Sequence, residues 1–167
     1  MDLTAHHSIV SIAQKSGEDF LRTKTIPFDF SQHSKDEISA LVSHMKKMMR
    51  QAHGIGLSAN QIGLPWRVFV AEIQDTNGST KFYSVFNPTI ERVSDARIAF
   101  EEGCLSVPKK FGPVERPREI TIRCHNKFGK PLKIKAWGML ARVFQHEIDH
   151  LDGTLFVDKA SHTRDGA

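Results

Sequence analysis

Cysteine is scarce in this 167-residue chain: Cys104 and Cys124 are the only two. That is too few for a disulfide framework. A reducing cytoplasm is the expected setting, where an unpaired thiol can serve as a metal ligand or a nucleophile. No apolar run approaches the ~18 residues of a membrane-spanning helix, so no such helix and no membrane partner is expected. The start, Met1-Asp2-Leu3-Thr4-Ala5-His6-His7, has neither the apolar core of a secretory signal nor the arginine bias of a transit peptide. No lysine or arginine block exceeds two in a row. A net charge of +4 and a pI near 9.2 therefore allow weak attraction to an anionic partner such as ribosomal RNA without demanding one. Repeats, low-complexity tracts and linkers are missing as well. A hydrophobic content of 40% with 25% charged residues is ordinary for a globular protein. Residues 1–167 read as a single domain, monomeric, long enough to bury a core without staples.

What is present late in the chain is Gln145-His146-Glu147-Ile148-Asp149-His150, an H-E-x-x-H string behind the apolar run Met139–Phe144. Residues four apart share a helix face, so His146 and His150 can bind one metal ion together, with Glu147 beside it as a base for water. Nine His and nine Glu would produce such a string by chance in roughly one chain in forty, so the string alone does not decide. A catalytic site of this kind needs three protein ligands and one open position. The downstream solutions fail: Phe156 stands where a third histidine would complete the longer H-E-x-x-H-x-x-G-x-x-H pattern, and no Glu follows His150. A third ligand, if there is one, must lie upstream.

The chain up to residue 33 is weakly patterned, with Phe20, Leu21, Ile26 and Phe28 as core anchors and Pro27 as a breaker. Ser34-Lys35-Asp36-Glu37 is a capping box. Ile38, Leu41, Val42, Met45, Met48 and Met49 then form one stripe of an amphipathic helix that Gly54 closes. His44 and His53 read as ordinary surface or boundary histidines. Gly54-Ile55-Gly56-Leu57-Ser58-Ala59-Asn60-Gln61 follows a helix, the wrong context for dinucleotide binding. Its glycines imply backbone lying close to something, whether a neighbouring strand or a bound group. Strand periodicity then covers 67–74 and 81–87 about the turn Thr76-Asn77-Gly78-Ser79, continues over 89–93, and returns over 119–124 and 132–136 about Asn126-Lys127-Phe128-Gly129. The fold class is α+β: short antiparallel or mixed sheets packed around a late helix, with one early amphipathic helix.

Between the hairpins lies Phe100-Glu101-Glu102-Gly103-Cys104-Leu105-Ser106-Val107-Pro108, where Pro108 argues against a long strand or helix. A lone cysteine is usually a small buried apolar group. That suits Cys124, inside the strand pattern 120–124. The missing third ligand makes Cys104 the candidate thiolate, and a thiolate with two imidazoles suits Zn²⁺, Fe²⁺, Co²⁺ or Ni²⁺.

Three stretches together resemble the peptide deformylase family. Gly54–Gln61 is similar to G-x-G-[LI]-A-A-x-Q, Glu102–Ser106 matches E-G-C-L-S, and Gln145–Gly153 matches Q-H-E-x-D-H-L-x-G. Weaker likeness runs through Phe20-Leu21-Arg22, Arg116-Pro117 and Leu155–Asp158. The resemblance implies hydrolysis of the N-formyl group of N-formylmethionyl peptides with release of formate. It implies Cys104, His146 and His150 as metal ligands with water in the fourth place, Fe²⁺ in cells and Zn²⁺ or Ni²⁺ in purified protein. Glu147 is then the base, and Gln61 with the Leu105 N–H stabilises the oxyanion. The peptide is expected to lie extended along Ile55 and Gly56, with Phe100, Gly103, Met139 and Val143 about the methionine. Glu102 is expected to pair with Arg116 near the mouth, and each ligand histidine to have a hydrogen-bonding partner. Ser58 stands where the family usually has Ala, and Phe111 where some members have Arg. Members that dock on the ribosome through a basic C-terminal helix have more chain at that end, so only weak ribosome association is expected. H-E-x-x-H alone would equally fit a metalloprotease or another amidase, and the basic pI a non-catalytic RNA- or metal-binding protein.

Overall fold

The computed structural model describes Thr4 and residues 8–74 and 77–166; Thr76, the first residue of the Asn77-Gly78 turn, lies outside them, as does most of the start. The long helix forms as its sequence dictates. Ser34 Oγ accepts from the Glu37 N–H while the Glu37 carboxylate accepts from the Ser34 N–H, which satisfies two donors that a helix start leaves unpaired. Preceded by a short α1 (Lys15–Leu21), this α2 (Lys35–Gln51) buries all six residues of its stripe. Its end differs from expectation. His53, at φ 56, takes the left-handed position, and Gly54 is needed for another reason: a Cβ there would sit 2.9 Å from Leu105 Cδ1.

Strands β1 (Gly56–Ser58), β2 (Val68–Gln74), β3 (Thr80–Val93), β6 (Glu119–His125) and β7 (Pro131–Trp137) form a five-stranded antiparallel sheet in the order β1-β2-β3-β6-β7. The two stretches expected at 81–87 and 89–93 are one strand broken by a register shift between Phe86 and Thr89. In the second turn Asn126 Oδ1 accepts from the Phe128 and Lys130 N–H groups, and Gly129 takes φ 73, the left-handed geometry glycine adopts without cost.

A second sheet, β4 (Arg97–Cys104), β5 (Val107–Pro117) and β8 (Arg164–Asp165), is absent from the sequence reading. Pro108 does not prevent it, because the partners of Cys104 and Gly103 are Val107 and Phe111. Residues 108–110 form a bulge, where a missing N–H breaks no ladder bond. Beyond Phe111, β5 has β4 as its single strand neighbour, so Pro113 and Pro117 are tolerated too.

Helix α3 (Gly138–Leu151) lies between the sheets. Its Ala141, Val143, Phe144, Ile148 and Leu151 pack on Phe69, Ala71, Val85, Ile120 and Ile122 of the larger sheet. The expected anchors Leu21 and Phe28 are buried; Ile26 is not, at 55% exposed. Its backbone does the work instead: Ile26 N–H donates to Pro65 O and Ile26 O accepts from the Arg67 N–H. No helix among the described residues is long and apolar enough to cross a membrane.

Candidate active site

Helical spacing puts His146 and His150 on one face of α3, ring centroids 5.0 Å apart. Cys104 reaches them from the end of β4, at the bulge, with Sγ 3.1 Å from His150 Nε2. The thiol and one ring nitrogen of each histidine lie within 4.8 Å of one another, close enough for small side-chain adjustments to bring all three onto a single ion with ~2.0–2.3 Å bonds. The donor set of one sulfur and two nitrogens suits a divalent transition metal, and three protein ligands leave a position open toward the cleft. Burial disfavours charge on Cys104, but His150 and His146 outweigh it and bring the thiol down to about 5. The Ser106 N–H (3.4 Å) and Gln61 Nε2 (3.6 Å) also donate to the sulfur. Cys124 is the opposite case: burial alone pushes it up to about 11, and both cysteines are free.

Behind His146 stands a buried ionic hub. Glu102 Oε1 accepts from Arg116 Nε (2.6 Å) and Arg142 Nη1 (2.6 Å), while Oε2 accepts from Arg116 Nη2 (2.9 Å) and His146 Nδ1 (3.0 Å). Burial opposes the charge, yet Arg116 and then His146 hold the Glu102 carboxyl well below the usual range. Its carboxylate fixes the proton on His146 Nδ1 and turns Nε2 toward the ligand cluster. Burial also disfavours protonation of His146, but Cys104 and Glu102 raise it to about 10. The Glu102–Arg116 pair is therefore present but lies deep, behind the site and not at its mouth. Arg116 continues to Asp149 (2.8 Å), which also accepts from Lys159.

Arg142 was hidden in what reads as an apolar run. It is 6% exposed and also donates to Val114 O and Ile98 O. One turn before His146, it shares that residue's face, and this spacing was the available signal. His150 lacks the partner expected for it: its Nδ1 is buried with no hydrogen bond among the described residues. The helix is instead gripped at its backbone, where Asn60 Nδ2 donates to His150 O (2.7 Å).

Glu147 points into the same place from the other side. Ser58 Oγ lies 2.6 Å from Glu147 Oε2, and a Cβ on Gly56 would come within 2.3 Å of Oε1. The glycine loop thus lies against α3, with no room for a side chain at 56. Burial raises the Glu147 carboxyl above its ordinary value, against the weaker pull of His146, His150 and Ser58. Gln61, from the 3-10 turn Ala59–Ile62, accepts from the Ser58 N–H and donates to Ser106 Oγ (3.1 Å).

Gln61, Cys104, His146 and Glu147 line one cleft of 480 Å³ together with Ile55, Gly56, Phe100, Gly103, Met139 and Val143, and with Leu105 and Phe111, while His150 lies buried behind it. Phe111 covers the place of the absent Cβ of Gly103, at 2.7 Å. β1 and β4 are each the outer strand of their sheet, so the cleft runs between two strand edges.

The chain is similar to known proteins over most of its length. A model of the polypeptide deformylase family matches residues 9–165. The chain is 42% identical over 151 residues to the peptide deformylase of Elusimicrobium minutum, covering 87% of this chain and 85% of that one. It is 41% identical over 146 residues to that of Halothermothrix orenii, covering 87% and 90%. Among solved structures, a probable peptide deformylase from a Synechococcus phage superposes with a TM-score of 0.81 at 40% identity, covering 91% of this chain and 98% of that one. A peptide deformylase from Acinetobacter baumannii, bound to Met-Ala-Ser, gives 0.83 at 26% identity, covering 93% and 99%.

Proposed function

Because the chain belongs to the polypeptide deformylase family, we propose that Cys104, His146 and His150 hold its metal ion, that Glu147 moves the proton, and that Gln61 and the Leu105 N–H receive the oxyanion. The reaction itself is hydrolytic removal of the N-formyl group from nascent peptides. The observation that carries the assignment is that Cys104 and His146, which cluster with the buried His150, line one cleft with Glu147 and Gln61.

A formamide is a weak electrophile, and a bound divalent ion would supply Lewis acidity and acidify water at neutral pH. Fe²⁺ is the proposed ion in cells, with Zn²⁺, Ni²⁺ or Co²⁺ able to replace it in purified protein. Glu147 takes a proton from the water that attacks the formyl carbon; as the C–N bond breaks, it delivers that proton to the departing amine, leaving formate and a free N-terminus. A base for this exchange benefits from a raised carboxyl, which burial supplies at Glu147. Donors held near the oxyanion lower the reorganisation the reaction needs; Ser106 fixes one Gln61 N–H, and the other exchanges its long contact to Cys104 for the oxyanion.

The peptide enters as an added strand along Ile55 and Gly56, because β1 has a strand neighbour on one side only and these two residues line the cleft. A relative from A. baumannii is bound to Met-Ala-Ser, which supports a peptide as the ligand of this chain. Met139, Val143, Phe100 and Gly103 are proposed to surround the methionine. Residues 1–167 act as one catalytic domain and as a monomer in the cytoplasm, with at most weak ribosome association. Formate release from formyl-Met-Ala tests the assignment: stoichiometric formate with no internal cleavage of longer peptides is expected. Internal cleavage without formate would make this a protease instead.

A further inference from the structure

The hydrogen bond from Ser58 to Glu147 has a geometry that bears on the proton transfer. Ser58 ends β1 and is fully buried. Its hydroxyl carries one proton and faces two acceptors, Glu147 Oε2 at 2.6 Å and Glu147 O at 3.0 Å. The shorter contact has the length of a hydroxyl donating to a carboxylate. No other protein donor engages either carboxylate oxygen of Glu147 among the described residues. Two residues earlier on the same strand face, Gly56 presents no side chain, and Oε1 occupies the space beside its Cα. One oxygen is thus capped and the other left free on the side where Gly56 and Glu147 line the cleft.

We propose that Ser58 is a positioning residue that fixes which oxygen of Glu147 accepts the water proton. The last torsion of a glutamate is a broad, nearly two-fold rotor, so nothing intrinsic keeps Oε1 toward the cleft. The Ser58 hydroxyl breaks that symmetry by committing Oε2. The effect should be on turnover and not on peptide affinity, because Ser58 is absent from the cleft lining and its hydroxyl bonds to Glu147 and not to the Cys104, His146 or His150 side chains among the described residues. This rests on the reading of Glu147 as the proton acceptor.

The test uses full-length metal-loaded enzyme and formyl-Met-Ala. Glu147→Gln comes first: if it turns over with full metal, the base assignment itself fails, whatever Ser58 does. With that settled, Ser58→Ala should lower kcat roughly tenfold, as removal of a hydrogen bond to a charged group can, leaving KM within about twofold and metal content unchanged. Ser58→Cys, similar in shape but a weak donor, should fall between. The shorter carboxylate of Glu147→Asp cannot keep the contact, so adding Ser58→Ala to it should cost less than about twofold more. Unchanged kcat in Ser58→Ala, a loss that tracks lost metal, or a full additional tenfold loss in the Glu147→Asp background would each overturn the proposal. The last two would make Ser58 a strut between loop and helix.

Discussion

Glu102 and Glu147 line the same cleft and are nearly equally buried, at 7% and 3% exposed, yet they are opposite in character. Glu102 takes hydrogen bonds from Arg116, Arg142 and His146, so its charge is matched on every side. Glu147 takes one, from a neutral hydroxyl. The difference shows how one fold runs two carboxylates in two roles at neutral pH. The one whose charge is compensated is held down and serves as structure; the one whose charge is not is raised and is the one proposed to carry the proton. Their strands explain this. β4 delivers Glu102 into the junction of β5 and α3, where both arginines converge, whereas α3 turns Glu147 toward β1, which offers a glycine and a serine.

The largest effect that this contrast predicts is on turnover. Glu147→Gln keeps the shape and removes the proton carrier, and kcat should fall by about a thousandfold or more with the metal still bound. Formate release together with metal analysis checks it; substantial activity would place the base elsewhere. Glu102→Ala should act differently. It leaves Arg116 and Arg142 buried without their carboxylate and frees the His146 ring. A stability loss of about 3 kcal/mol is expected, along with a ~10–100-fold weaker hold on metal. Thermal melting and competition with a chelator measure the two effects. If stability is unchanged, the hub is not what orders this junction.

A smaller effect concerns acid. The folded Glu102 carboxyl lies well below the ~4.3 of an unfolded glutamate. Near pH 4 the unfolded chain therefore binds more protons, and stability falls with falling pH. The contribution is complete above about pH 5 and drains away as the pH drops through the unfolded value toward the folded one. Melting temperatures between pH 6 and pH 3 should fall more steeply for the wild type than for Glu102→Gln. Parallel curves would mean that other carboxylates dominate the acid limb.

How much of this was legible in the sequence follows from how local each feature is. The Ser34 capping box, the α2 stripe and the Asn126–Gly129 turn are each specified within a few residues, and they form where the sequence puts them. The β4–β5 hairpin was not legible, because its register depends on a bulge that takes Pro108 out of the ladder. The metal cluster could be reached by asking where a third ligand could come from. The counter-charge around it could not: Arg142 is one polar residue within an apolar stretch, and only the fold brings Val114, Ile98 and Glu102 to its guanidinium. Ser58 looked like a small residue standing in for another small residue. Its importance lies in the direction of one hydroxyl, which no spacing in the sequence encodes.

The finest test of the contrast is on stability at alkaline pH. Because burial raises Glu147, the unfolded chain releases this proton first as pH climbs above about 4.3. Stability is lost until the folded value is passed, and the penalty then persists. Glu147→Gln removes the penalty, and a Gln side chain can still bond the Ser58 hydroxyl. With the metal chelated from both proteins, the variant should match the wild type near pH 4 and melt higher than it at pH 8. An inactive variant more stable than its parent would locate a cost of catalysis in one buried charge, as functional sites that sacrifice stability do. Equal melting at pH 8 would instead mean that Ser58 and the two imidazoles already compensate Glu147, and the two glutamates would differ in partners but not in the cost of their charge.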